Sequence, residues 1–268
     1  MGKWKKWLSA GLFTAMLGTA IIAGPTADVS ANAGNKPYNI ENVSPDAQLA
    51  PSVGDSSSKT SSKAWHKIDG VCYNGSGKKV EAITRGMDVS EWQGKINWKE
   101  AKKDLDFAFV RISYGTRHLD DYYDYNMTEA EAADVPVGTY VYSLAKTNKE
   151  ALAEAQLAIR QMQGHKVSYP VAFDLEDEAT LGTLTRKEIS QIALTFCDEI
   201  RKAGYTPILY MNLNWYNNFV DWNVLEGSGL DVWIASYGDT IFAPSTSKYK
   251  YTIWQCTAGD EVPGMIST

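Results

Sequence analysis

Tyr169-Pro-Val-Ala-Phe-Asp174-Leu-Glu176-Asp-Glu178 is the stretch from which the rest of this chain can be read. Its Val-Ala-Phe core has the apolar, aromatic character of a strand buried on both faces, and it ends in acids. A strand alternates its side chains, so Asp174 and Glu176 project to one side, their Cα atoms roughly 6.6 Å apart. Carboxylates at the end of a buried strand cost stability unless they are paired or put to use. One carboxyl as proton donor and another as charged helper is what hydrolysis of a glycosidic bond requires. An isolated Asp-x-Glu serves equally well as a strand end that pairs with surface Lys and Arg, so the remaining sequence has to decide.

Working outward, further strand-like runs occur at Gly86–Ser90, Phe107–Ile112, Val137–Tyr142, Pro207–Met211, Val232–Ser236 and Tyr251–Trp254. Amphipathic segments alternate with them, most clearly 149–163, stopped by Gly164, and 186–203, stopped by Gly204. The second opens with Thr185 and Glu188 at capping-box spacing. Alternation of this kind predicts an α/β fold with a parallel sheet, and polar groups at several strand ends favour a compact, TIM-barrel-like (β/α) barrel over an open nucleotide-binding sheet. Sites on such a barrel gather at the carboxyl ends of the strands. Asp88, Tyr142, Asp174, Glu176, Tyr210, Asn212, Trp233 and Trp254 are therefore expected to converge on one cleft.

A net charge of −6 and a pI near 5.2 argue against a nucleic-acid partner, which calls for a concentrated basic surface. Residues 1–33 carry Lys3, Lys5 and Lys6, an apolar stretch from Trp7 to Ala23 and an Ala31-Asn-Ala33 site, the pattern of a signal peptide cut before Gly34. The alternative is a retained membrane anchor. On the cleaved reading the domain is secreted or wall-associated, has no membrane contact and is expected to be a monomer. Residues 34–64, rich in Ser, Asn, Pro and Asp, read as a disordered linker, and 65–83 as a short hairpin extension turning at Asn74-Gly-Ser-Gly77. The main domain spans 84–268. Cys72, Cys197 and Cys256 match no zinc spacing, so neither a metal nor a cofactor is expected. Cys197 reads as a buried apolar residue, and a bridge between Cys72 and Cys256 stays open.

Over roughly 84–264 the residues resemble the family 25 glycoside hydrolases, lysozymes of the N-acetylmuramidase type. The opening Gly86-Met-Asp88-Val-Ser90-Glu-Trp92-Gln93-Gly94, with Trp98 beyond it, resembles that family's first strand, Gln-Gly turn and first helix. Tyr114-Gly115, Asp120 or Asp121, Asn126 and Val137–Tyr142 are similar to its next strands. Phe173-Asp174-Leu-Glu176 is similar to its Asp-x-Glu, and Trp254-Gln255 with Val262-Pro-Gly264 to its end. The resemblance implies an irregular (β/α) barrel with some antiparallel strands. It also implies peptidoglycan glycan strands as substrate, cut at the β-1,4 bond after N-acetylmuramic acid. Glu176 would be the general acid, Asp174 would stabilise charge on the reacting sugar or its acetamido group, and Asp88 would position the pair or bind substrate.

Aromatic side chains suit sugar rings, yet most simply pack. Tyr142, Tyr210, Trp233 and Trp254, with Asn212, are taken as substrate-binding because they end strands near the acids. Trp92 and Trp98 are taken as packing residues, Asp177 and Glu178 as solvated loop charges, and His118 as a surface histidine. Relatives continue past the Val-Pro-Gly turn into a strand with a further Asp, whereas this sequence stops at Thr268. Two other readings therefore stand beside the lysozyme: a wall-binding module that no longer cuts, and a barrel glycosidase acting on another polysaccharide.

Overall fold

The computed structural model of the chain describes residues 19–23, 66–69, 71–73, 79–80, 84–237 and 250–256. The strands are β1 (Thr19–Ala23), β2 (His66–Ile68), β3 (Val71–Tyr73), β4 (Lys79–Val80), β5 (Thr84–Val89), β6 (Phe107–Tyr114), β7 (His118–Leu119), β8 (Val137–Tyr142), β9 (Val167–Asp174), β10 (Pro207–Asn212), β11 (Asp231–Ala235) and β12 (Ile253–Gln255). The helices are α1 (Trp98–Ala101), α2 (Tyr123–Ala132), α3 (Asn148–Met162), α4 (Glu178–Leu181), α5 (Arg186–Lys202), α6 (Leu213–Asn218) and α7 (Trp222–Leu225). Every strand expected of the main domain is present within a few residues. The capping box of Thr185 and Glu188 opens α5, and α3 ends just before Gly164, whose φ of 91° suits glycine.

The main sheet runs β5-β1-β12-β11-β10-β9-β8-β6-β7, and a further pairing of β5 with β6 closes it on itself. Neighbours among β5, β6, β8, β9, β10, β11 and β12 pair in parallel, while β1 and β7 pair antiparallel, so the expected barrel with some antiparallel strands is the observed architecture. β1 was not expected. It lies between β5 and β12, with Thr19 opposite Asp88 and Ile21 opposite Gln255, inside the stretch read as a leader. The extension at 65–83 is a small antiparallel sheet, β2-β3-β4, with one strand more than the hairpin foreseen. The linker 34–64, the side chain of Cys72 and the Val262-Pro-Gly264 turn lie outside the described residues.

Two apolar layers follow from the strand alternation. Phe107, Phe109, Tyr140, Ala172, Ile208, Tyr210, Trp233 and Ile253 fill the barrel, a packed interior rather than a pore. The opposite faces of the same strands meet the helices. On β9, Phe173 points outward and stacks on Phe196 of α5, ring centroids 4.2 Å apart, while Ala172 and Asp174 point inward. Burying each such ring stabilises the fold by about 2–3 kcal/mol and fixes the strand that carries the acids. Gly138 is demanded by the filling, since a Cβ there would stand 2.6 Å from both the Phe109 ring and the Pro170 carbonyl oxygen. Cys197 is buried, as expected of an apolar residue on the core face of α5. Among the described residues no helix is long and apolar enough to cross a membrane.

Candidate active site

Three carboxyls meet at the carboxyl end of the barrel. Asp88 ends the inward row of β5 and Asp174 is the last residue of β9, each almost fully buried, while Glu176 lies two residues further on and is half-buried. The Cα register across β9 and β10 sets Asp174 beside Tyr210, and across β10 and β11 sets Tyr210 beside Trp233. Leu175 points the other way into the outer core, so the alternation read from Asp174-Leu-Glu176 holds past the strand end.

Burial dominates the electrostatics. It raises Asp88 to about 7; the hydrogen bond from Gln255 opposes the shift and the charge of Glu176 adds to it. It raises Glu176 to about 7 as well, against hydrogen bonding from Asn212. Asp174 is pushed well above the carboxylate range, first by burial and then by the charges of Glu176 and Asp88, with Arg111 pulling it back. Like charges this close do not all ionise together, so the trio holds protons at a pH where isolated carboxyls have lost them. Asp174 Oδ1 is buried with no hydrogen-bond partner among the described residues.

The residues around the trio divide by how they are held. Asn212 caps α6, its Oδ1 accepting from the Trp215 N–H at 3.0 Å, and this turns its amide N–H groups toward Glu176. Asn212, expected from sequence to contact substrate, thus hydrogen-bonds Glu176. Tyr142 is half-buried and stacks on Tyr114 at 4.9 Å, and the Tyr114 hydroxyl donates to Asp177 at 3.2 Å. Asp177 is therefore no free loop charge: it also caps α4 by accepting from the Thr180 N–H at 2.7 Å. Tyr210 is buried and its hydroxyl donates to Gln255 Oε1 at 2.7 Å. Trp233, expected to bind substrate, lies in the packed barrel interior against Phe109 and Tyr210, 2% exposed.

Trp254 departs from expectation. Its side chain faces the helices, and its Nε1–H donates to the Ser236 carbonyl, because Ile253 and Gln255 hold the inward parity on β12. The inward residue is Gln255, whose Nε2–H donates to Asp88 Oδ2 at 2.9 Å. Trp92 also departs. Expected to pack, it is 58% exposed in the 3-10 turn Glu91–Gln93 directly beyond β5. Trp98 does pack, 2% exposed, its Nε1–H donating to Asn126 Oδ1. Tyr237, which sequence reasoning missed, follows β11 and is 40% exposed, its hydroxyl donating to Gln255 Oε1 at 2.9 Å. Beneath the trio, Arg111 is buried and its charge is matched by Asp120 at 2.9 Å and Glu91 at 2.8 Å. His118 is exposed, as foreseen, and bonds Glu91.

Comparison with known proteins points the same way. The profile of the Glycosyl hydrolases family 25 matches residues 87–265. Lysozyme M1 of Streptomyces globisporus is 25% identical over 191 residues, covering 68% of this chain and 64% of the lysozyme, so the chain spans a little under two thirds of that relative. A family 25 glycosyl hydrolase from Bacillus anthracis superposes with a TM-score of 0.57 at 22% identity, over 76% of this chain and 85% of the other. The modular autolysin LytC from Streptococcus pneumoniae, solved with a synthetic peptidoglycan ligand, superposes with a TM-score of 0.58 at 22% identity, over 69% of this chain and 46% of its own. With the barrel, the acid trio at its carboxyl end and a profile match over most of the main domain, the chain belongs to the glycosyl hydrolases family 25.

Proposed function

We propose that this protein is a peptidoglycan hydrolase that cleaves the β-1,4 bond between N-acetylmuramic acid and N-acetylglucosamine. The observation that carries the reading is the pairing of a half-buried Glu176, raised to about 7, with an Asp174 whose Oδ1 has no hydrogen-bond partner among the described residues. A carboxyl that stays protonated near neutrality can donate to the departing glycosidic oxygen. Asp174 then faces the positive charge that grows on the sugar or its acetamido group, and Asp88 holds the geometry of the pair. Half-exposed Tyr142 and exposed Tyr237 and Trp92 at the mouth offer faces for sugar rings. The peptidoglycan-bound autolysin of the same fold and the similarity to Lysozyme M1 support the substrate class.

The test is to incubate the full chain with purified peptidoglycan and identify the products by mass spectrometry. Fragments with N-acetylmuramic acid at the reducing end are expected. Binding to the wall without release of reducing ends makes it a binding module, and release only from other glycans makes it a different barrel glycosidase.

Export with cleavage before Gly34 belongs to the same proposal, supported by the Lys-rich start, apolar stretch and Ala31-Asn-Ala33 site. Cleavage there removes β1 and leaves the facing edges of β5 and β12 without it. The N-terminal residue of the exported protein decides: Gly34 is expected, and an intact N-terminus on the cell-bound protein overturns the cleavage.

A further inference from the structure

We propose that Gln255 is a positioning residue whose amide is oriented by the hydroxyls of Tyr210 and Tyr237, so that its N–H faces Asp88 and favours the ionised form. The catalytic consequence rests on the muramidase reading above; the lock itself does not.

An amide side chain offers an oxygen that only accepts and a nitrogen that only donates, and the two ends are nearly identical in shape. What surrounds them decides which way the group faces. Here Tyr210 from β10 and Tyr237 beyond β11 both donate to Gln255 Oε1, at 2.7 and 2.9 Å. Burial and the neighbouring carboxylates push both phenols up from their ordinary value, so they stay protonated donors throughout the working range. With its oxygen engaged by two O–H groups, the amide can present only nitrogen to Asp88, and it does so at 2.9 Å. The Gln255 side chain is fully buried, so water does not compete.

The lock matters because, among the described residues, the Gln255 hydrogen bond is the largest influence that favours the charge of Asp88, with a backbone hydrogen bond second. Tyr140 on β8, Asp174 at the end of β9, Glu176 just beyond it and the hydroxyls of Tyr210 and Tyr237 all act on it or feel its charge; Arg111 on β6 is already matched by Asp120 and Glu91. Burial and the acids work to protonate Asp88, and the Gln255 N–H works against them. Were the amide to turn over, its oxygen would meet the Asp88 carboxylate and the pair could persist only with a proton between them. The tyrosines disfavour that arrangement, because both of their O–H bonds to Oε1 would be lost. The Gln255 N–H thereby biases the protons retained by the trio toward Asp174 and Glu176.

The experiment follows the carboxyl signal of Asp88 by NMR in the full chain labelled with 13C at aspartate carboxyls, assigned with Asp88→Asn. It compares wild type, Gln255→Leu and the double variant Tyr210→Phe/Tyr237→Phe. The double variant keeps both rings in place and so preserves the packing if the glutamine change fails to fold. In both, the Asp88 midpoint is expected to move upward by about one pH unit or more, the size typical of losing a hydrogen bond to a buried carboxylate. The acid limb of the pH profile of kcat/KM should move upward with it. An Asp88 midpoint unchanged in the double variant overturns the lock, whatever the activity does. A shifted midpoint in a protein that cuts no peptidoglycan keeps the lock and refutes the muramidase reading instead. Activity lowered equally at every pH, with the midpoint fixed, reduces Gln255 to a packing residue.

Discussion

Glu176→Gln is expected to lower kcat for reducing-end release from peptidoglycan by about 10²- to 10⁴-fold, the range for loss of a general acid. That corresponds to roughly 3–5 kcal/mol of transition-state stabilisation. The substitution keeps the shape and still offers an oxygen to the Asn212 amide, so the fold and KM should change little. What disappears is the proton. The wild-type profile of kcat/KM should fall as pH rises through about 7, because the acid must be protonated to act and burial sets its titration there. Asp174→Asn should also be severe, but through a different loss. It replaces the carboxyl proposed to face the reacting sugar with an amide that can never ionise, so the charge that this carboxyl would supply in the transition state is lost at every pH. A Glu176→Gln variant that is folded and retains activity within tenfold of wild type would remove Glu176 from the role of acid.

Much of this was legible in the sequence because parallel strands and their partner helices announce themselves. The apolar runs at 107–112, 137–142 and 207–211 are short, aromatic and β-branched, and all three are found in place. The placing of Asp174 and Glu176 on one side was legible from strand alternation, with Leu175 turned into the outer core between them. What failed was parity. A strand buried on both faces has no polar–apolar alternation to say which side is in, and Trp254 was chosen over its neighbour Gln255 because it is aromatic. The better signal on Ile253-Trp-Gln255 was the one polar residue in a buried strand. Asn212 on β10 shows the same thing, its helix-capping oxygen fixing an amide toward Glu176. Trp92 was misjudged because exposure depends on the tight 3-10 turn after β5, where Ser90 and Gln93 cap each other and leave the ring outside. β1 was hidden for another reason, since an apolar stretch with a basic start reads as a leader whatever it pairs with in the uncut chain.

A carboxyl that nothing in the sequence singled out should govern how stability responds to pH. Glu154 of α3 is buried behind the site, its oxygens accepting from the Ser143 hydroxyl at 2.8 Å and from the Leu144 N–H at 2.9 Å. Those residues follow Tyr142, and the Ser143 N–H donates to the Asp174 carbonyl, so Glu154 props the backbone under the acids. Burial raises it to about 7, outweighing both hydrogen bonds. The folded state therefore binds a proton between about pH 4.5 and 7 that the unfolded state has released. The stability this contributes is complete below the unfolded value and is lost as pH rises through the folded one. A shift from 4.5 to about 7 corresponds to about 3 kcal/mol lost across that window, and Asp88 and Glu176 act in the same direction. Glu154→Gln presents the neutral form at every pH, keeping an acceptor for Leu144 and a donor for the Ser143 oxygen. Urea unfolding should find the variant near wild type or slightly weaker at about pH 5, and more stable than wild type at about pH 8, by up to about 3 kcal/mol. A difference between variant and wild type that is the same at both pH values would mean that Glu154 is already ionised in the folded protein. The two hydrogen bonds would then outweigh burial, and the support beneath Asp174 would be a charged one.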